Sequence, residues 1–202
     1  PNILTAGNLV GGILAIIFAL TGRIDLSPWC IFASAIFDFL DGFVARLLKV
    51  QNELGKQLDS LADMVTFGVA PGIIVYHLLL GRGNSDFLGM VTYKNYVNLG
   101  FKGEMLKLLL EWLPYIAFII PVFALFRLAK FNLDTRQTSS FIGLPTPAMT
   151  LFFAAIPLLV ISGVESDIVW EQKLAHLLIN PIFLIASSIV MSILMVSEIP
   201  LF

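Results

Sequence analysis

A chain of 202 residues that is 58% hydrophobic and only 13% charged is too apolar for a soluble globular domain and belongs to the membrane class. Its net charge of −2 excludes the basic footprint that nucleic acid requires, and no run of like charges marks an interaction tail. A single cysteine, Cys30, excludes an internal disulfide and a cysteine-rich metal site, and reads as a buried apolar side chain.

A bilayer core takes about 20 apolar residues per helix, and six segments meet or approach that length. They are Ile3–Thr21, Pro28–Leu48, Leu58–Leu80, Leu106–Ala129, Pro145–Ile161 and Ala175–Val196. The expectation is an all-α integral membrane protein of six transmembrane helices in one domain spanning 1–202, with both termini on one side. The first run carries Asn2, Thr5 and Asn8 and lacks a basic region and a small-residue cleavage site, so it reads as a retained span and not a signal peptide. Gly11–Gly12, Pro71–Gly72, Pro114, Pro121, Pro157 and Pro181 fall inside the spans, where neighbouring helices re-satisfy the backbone and small residues allow close approach. The polar stretch Gly81–Gly103 interleaves Phe87, Tyr93, Tyr96 and Phe101 with polar residues, a pattern shared by an interfacial segment and an ordinary surface loop. Cations divide evenly between the two sides: Arg46, Lys49, Lys56, Arg127, Lys130 and Arg136 on one, Arg23, Arg82, Lys94, Lys102, Lys107 and Lys173 on the other. The positive-inside rule therefore assigns no orientation.

The second quarter of the chain breaks the apolar pattern with Asp38, Asp41, Asp59 and Asp63. Spacings of three and four place each pair on one helix face, and the two faces meet across a hairpin whose turn contains Asn52 and Gly55. A charge at membrane depth costs about 2.5–3.5 kcal/mol on insertion scales, and four acids together also repel one another. A hard divalent cation held by carboxylates and water, Mg²⁺ or Mn²⁺, resolves both problems, and the absence of His and Cys from the stretch argues against zinc. The plainer alternative is that Arg46, Lys49 and Lys56 neutralise the acids as helix-end ion pairs, which leaves Gly42, Ala45 and Gly55 unexplained. Carboxylates, a cation and an arginine one turn beyond a glycine form a kit for gripping a pyrophosphate, which in a membrane protein can be lipid-linked. A cation-coupled transporter also places acids in the membrane, and metal-dependent flux without nucleotide release distinguishes it.

Asp38, Asp41, Gly42, Ala45, Arg46, Gly55, Asp59 and Asp63 satisfy D-x-x-D-G-x-x-A-R-x8-G-x3-D-x3-D in full, and this resembles the signature of the CDP-alcohol phosphotransferases. The six spans agree with that family's six-helix fold, so the resemblance covers the whole chain. It implies that Asp38, Asp41 and Asp59 hold divalent metal on the CDP diphosphate, with Asp63 completing the cluster and acting as general base on the acceptor hydroxyl. It further implies that Gly42 and Ala45 leave room for the nucleotide, that Arg46 contacts phosphate beside Gly55, and that Thr5 and Asn8 line the nucleotide site. For Thr5 and Asn8, helix capping near the interface is an alternative. A polar metal and nucleotide site is thus expected at the cytoplasmic end of helices 2 and 3, in the cell membrane. The family is often dimeric, which leaves a homodimer open.

The signature does not choose the acceptor. Leu61–Gly72, Arg127–Asn132 and Phe141–Ala148, the last with its G-L-P-x-P, resemble the branch of the family that makes phosphatidylserine. That branch implies CDP-diacylglycerol or a related CDP-lipid as donor and L-serine as acceptor. Serine needs a cation for its carboxylate: Arg127 and Lys130, three apart at a helix end, are candidates, with Thr66 one turn beyond Asp63. Glycerol phosphate or an inositol phosphate as acceptor keeps the same chemistry. For Arg127 and Lys130, simple anchoring at the interface is the alternative. His77 and His176 lie away from the acids and read as packing or interface residues.

Overall fold

In the computed structural model the described residues are 2–48, 53–80, 94, 96–98, 100, 102–133 and 143–199, and they are helical with short connections. The first helix, α1 (Asn2–Leu20), buries Thr5, Asn8, Gly12, Ala15 and Ala19, a stripe stepping by three and four residues, and exposes Ile3, Val10, Ile13, Leu14, Ile17 and Leu20. Small and polar side chains face the bundle and large apolar ones face outward. Between helices in lipid the hydrophobic effect favours no partner, so close packing and polar contacts take over. The next helix, α2 (Ser27–Leu47), starts with Pro28 in its first turn, where the missing N–H costs no bond. Its inward stripe runs Ser27, Ile31, Ser34, half-buried Asp38 and Asp41, so the acids continue the face that packs on α1. A Cβ on Gly11 would collide with the Ser34 hydroxyl, and one on Gly12 would lie 2.9 Å from the Thr66 Cα.

Helix α3 (Glu53–Asp63) passes through a π-helical turn, Met64–Val69, into α4 (Ala70–Leu80), a continuous 28-residue run. Gly55 is therefore in the first turn of α3, not in the connecting turn; glycine's low helix propensity favoured the turn reading, and the helix overrides it. Pro71 has no N–H for the Phe67 carbonyl four residues back, and the Thr150 hydroxyl donates to that carbonyl at 2.7 Å. Gly72 allows the helix to cross Pro121, whose Cδ would be 2.9 Å from an added Cβ.

The fourth expected span is displaced. Helix α5 (Gly103–Trp112) ends at a 3₁₀ turn, Leu113–Phe118, containing Pro114, and α6 (Ile119–Leu133) follows, so the apolar run long enough to cross is Leu113–Leu133. Helix α7 (Thr146–Glu165) matches the fifth expectation. The sixth is broken into α8 (Val169–Leu178) and α9 (Pro181–Val196), bent by 63°. Asn180 caps α9, its side chain accepting from the Ile182 N–H at 2.9 Å, and Pro181 occupies the first helical position, so the pair starts a new helix. Among the described residues four helices are long and apolar enough to cross a membrane, and five with the bent pair counted as one. Most of Gly81–Gly103 lies outside the described residues. Tyr96 within it is fully buried, its hydroxyl donating to the Leu79 carbonyl at 3.1 Å, so at that position the stretch packs inward.

Candidate active site

The inward faces of α1, α2 and α3 converge on the acids. One carboxylate oxygen from each of Asp38, Asp59 and Asp63 lies within 4.8 Å of the others, all three half-buried. The sequence spacing explains this: Asp38 lies on the inward stripe of α2, one turn before Asp41, and Asp59 and Asp63 sit one turn apart on α3. Asp41 is outside this trio. It is 6% exposed and accepts a hydrogen bond from the Thr5 hydroxyl. Asn8, fully buried, donates from Nδ2 to Asp63 Oδ1 at 2.9 Å, and its backbone carbonyl accepts from the Thr66 hydroxyl at 3.0 Å. Thr5 and Asn8 thus lie inside α1 and touch the acids, which removes the capping alternative. The π-helical turn begins immediately after Asp63 and carries Thr66 on the same inward side. Such insertions cluster where a helix must re-aim side chains.

The ion-pair alternative fails among the described residues. Arg46 Nε donates to the Gly42 carbonyl at 3.0 Å, and Lys56 Nζ to the Asn132 carbonyl at 3.2 Å; neither reaches an aspartate. Lys49 and Asn52 lie outside the described residues. Gly42 is exposed, and a Cβ placed on it would meet nothing within 4 Å, so the open space there is outside the helix and not in its packing. Arg46 is exposed and Ala45 half-buried beside that space.

The two cations assigned to the acceptor separate. Arg127 is 7% exposed, stacks over the Phe131 ring at 5.1 Å, donates from Nε to the Leu144 carbonyl at 3.1 Å, and is close enough to Asp63 for the charges to interact. Lys130 is at the surface and pairs with Glu198 at 3.0 Å. An interfacial anchor is exposed, so the anchoring alternative describes Lys130 and not Arg127. Sequence reasoning missed Glu198, Leu144, and the Asn132–Ser60 hydrogen bond of 2.7 Å that ties α6 to α3. Each is a contact across many residues of chain, for which local spacing carries no signal.

The donor set suits a hard cation: carboxylate oxygens only, mutually close, half-buried, and without a salt bridge to a basic side chain among the described residues. Fold and site together define a helical membrane protein with an acidic cluster able to bind a metal ion. The chain belongs to the CDP-alcohol phosphatidyltransferase family, whose model matches residues 1–197. It is 31% identical over 199 residues to a Bacillus subtilis protein named CDP-diacylglycerol–serine O-phosphatidyltransferase, covering 98% of this chain and 87% of that protein. A Helicobacter pylori protein of the same name is 35% identical over 161 residues, covering 79% of this chain and 57% of its own length. The archaetidylserine synthase of Methanothermobacter thermautotrophicus is 29% identical over 149 residues, 73% of this chain and 52% of that protein.

Proposed function

We propose that this chain transfers a phosphatidyl group from CDP-diacylglycerol, or a related CDP-linked lipid, to the hydroxyl of L-serine, releasing CMP. The observation that carries this reading is the buried Arg127, whose charge interacts with that of Asp63 in the Asp38–Asp59–Asp63 trio. A buried guanidinium with a carboxylate nearby offers a planar fork for an incoming carboxylate and places the acceptor next to a base. The relatives named for serine support the same acceptor.

Asp38, Asp59 and Asp63, with Asp41 alongside, would hold Mg²⁺ or Mn²⁺, which when bound supplies positive charge to diphosphate oxygens. Asn8 fixes the rotation of the Asp63 carboxylate. Asp63 then takes the proton of the serine hydroxyl as its oxygen bonds to the β-phosphorus. The bond from that phosphorus to the oxygen bridging the two phosphates breaks, and its electron pair leaves with CMP. Arg46 and Gly42, at the open side of α2, receive the phosphates and the nucleotide, while Gly55 and Ala45 keep the approach clear. Arg127 and the Thr66 region receive serine, and Lys130 acts from the periphery through Glu198.

In this reading α2 is a sixth span in a single domain. Its 21 residues reach about 31 Å at 1.5 Å per residue, a bilayer core's thickness, and its acids are what lower its hydropathy. CMP release assayed with a panel of alcohols is expected to require serine, with glycerol phosphate and inositol phosphate inactive. Equal release with a phosphorylated acceptor would remove serine from the assignment, and metal flux into liposomes without CMP release would move the chain to the transporter class. Nucleotide and serine are cytoplasmic, so the site faces the cytoplasm of the cell membrane. A cysteine introduced at position 52 is expected to resist a membrane-impermeant reagent applied to intact cells; labelling from outside reverses the orientation.

A further inference from the structure

Arg127 is held by a carbonyl whose own position depends on the last turn of α9 and the residues after it. Its Nε bonds to Leu144 O, and the backbone leading into that residue is tied to both. Leu144 N–H donates to Leu194 O at 3.0 Å, and Gly143 N–H to Ile199 O at 3.0 Å. Gly143 adopts φ 74°, and a Cβ there would lie 2.9 Å from both Met195 O and Ser197 O. Those are backbone atoms, which cannot swing aside as a flexible side chain does. Glycine is thus required twice, by its dihedral and by the close approach. Ser197 ends α9, its N–H bonding Ile193 O at 2.9 Å, and the following residue, Glu198, pairs at 3.0 Å with Lys130, three positions beyond Arg127 on α6.

The geometry points to a clamp: Gly143 and the segment Ser197–Ile199, closed over α6 by Glu198 and Lys130, position the Arg127 guanidinium and so set affinity for the acceptor. This rests on the reading of Arg127 as the serine-carboxylate site. Gly143 and Glu198 are positioning residues: Gly143 acts through Leu144, and Glu198 through Lys130, which shares α6 with Arg127. The clamp joins α6, the start of α7 and the end of α9, elements with no part in holding the diphosphate. Its loosening therefore alters acceptor binding and leaves the donor site as it was.

Full-length protein in lipid nanodiscs is assayed for CMP release with serine and CDP-diacylglycerol varied separately. Gly143→Ala is expected to raise the KM for serine about tenfold or more, the scale of a disturbed hydrogen bond to a charged group, with the KM for CDP-diacylglycerol unchanged. Glu198→Lys, a surface change that leaves the fold intact, is expected to raise serine KM about threefold, and the charge-swapped pair Lys130→Glu with Glu198→Lys to restore it. Combining Gly143→Ala with Arg127→Lys should be non-additive, because both act on one contact. Unchanged serine KM in Gly143→Ala and Glu198→Lys, with Arg127→Ala raising it, overturns the clamp alone. Unchanged serine KM in Arg127→Ala overturns the acceptor reading instead. Equal increases in both KM values for the Gly143 and Glu198 variants make the contacts merely structural and also overturn the proposal.

Discussion

Asp63→Asn is expected to lower CMP release by about a thousandfold or more, within the range that a positioned general base contributes, while the protein still binds CDP-diacylglycerol and melts near the wild-type temperature. Asparagine has nearly the size and shape of aspartate. Its carbonyl can still accept from Asn8 Nδ2, the contact of 2.9 Å that joins α1 to α3, and its amide can donate to the neighbouring acids. The packing therefore survives, and with it the surface that receives the nucleotide around Gly42 and Arg46. The ability to take a proton is lost, and so is one negative charge of the trio. Steady-state CMP release and equilibrium binding of the CDP-lipid, measured on the same preparation, separate the two effects. Turnover near the wild-type rate would assign the base elsewhere; loss of both turnover and binding would make Asp63 chiefly a metal ligand.

The acids are not equally provided for by the fold. One hydrogen bond to a charged group contributes about 1.5–3 kcal/mol, close to the cost of about 2.5–3.5 kcal/mol for one charge at membrane depth. Asp41 has Thr5 and Asp63 has Asn8, whereas the side-chain hydrogen bonds of Asp38 and Asp59 run within the acidic cluster, Asp38 with both Asp59 and Asp63. Two of the acids thus lean on one another and on a third, with no donor from α1. Charge from a bound cation supplies what α1 does not.

Much of this was legible because helix periodicity connects spacing to geometry. Separations of three and four along α2 and α3 placed each pair of acids on one helix face, and the structure brings Asp38, Asp59 and Asp63 together. Thr5 and Asn8 entered through the family resemblance alone, and their contacts with Asp41 and Asp63 are seen only in the fold. The breaks were harder. Ala175–Val196 is apolar enough overall to read as one span, and the cap formed by Asn180 with Pro181 is what reveals the bend. The π-helical turn at Met64–Val69 is not distinguishable by composition, since its Val, Thr and Gly residues are equally at home in an α-helical membrane span. Arg127 and Lys130 read as a pair because they are three apart, yet one is buried by Phe131 and Leu144 and the other is drawn out to Glu198, 68 residues away. Nothing local encodes that difference.

Removal of divalent metal is expected to abolish CMP release, and Mg²⁺ or Mn²⁺ to restore it. The trio offers only carboxylate oxygens, hard ligands that suit these ions. Asp38→Asn and Asp59→Asn each replace a charged ligand with a neutral one and should raise the metal concentration for half-maximal activity by about tenfold or more. Binding has a readout free of catalysis: a ligand that binds only the folded state stabilises it by about 2.7 kcal/mol at a hundred times its Kd, so Mn²⁺ alone should raise the melting temperature of the wild type. That rise should shrink in both variants. If activity persists in chelator, or if Mn²⁺ stabilises Asp38→Asn and Asp59→Asn as much as the wild type, the trio does not bind the ion. The acids would then have to be neutralised by proton uptake, and turnover would follow their protonation and not the metal concentration.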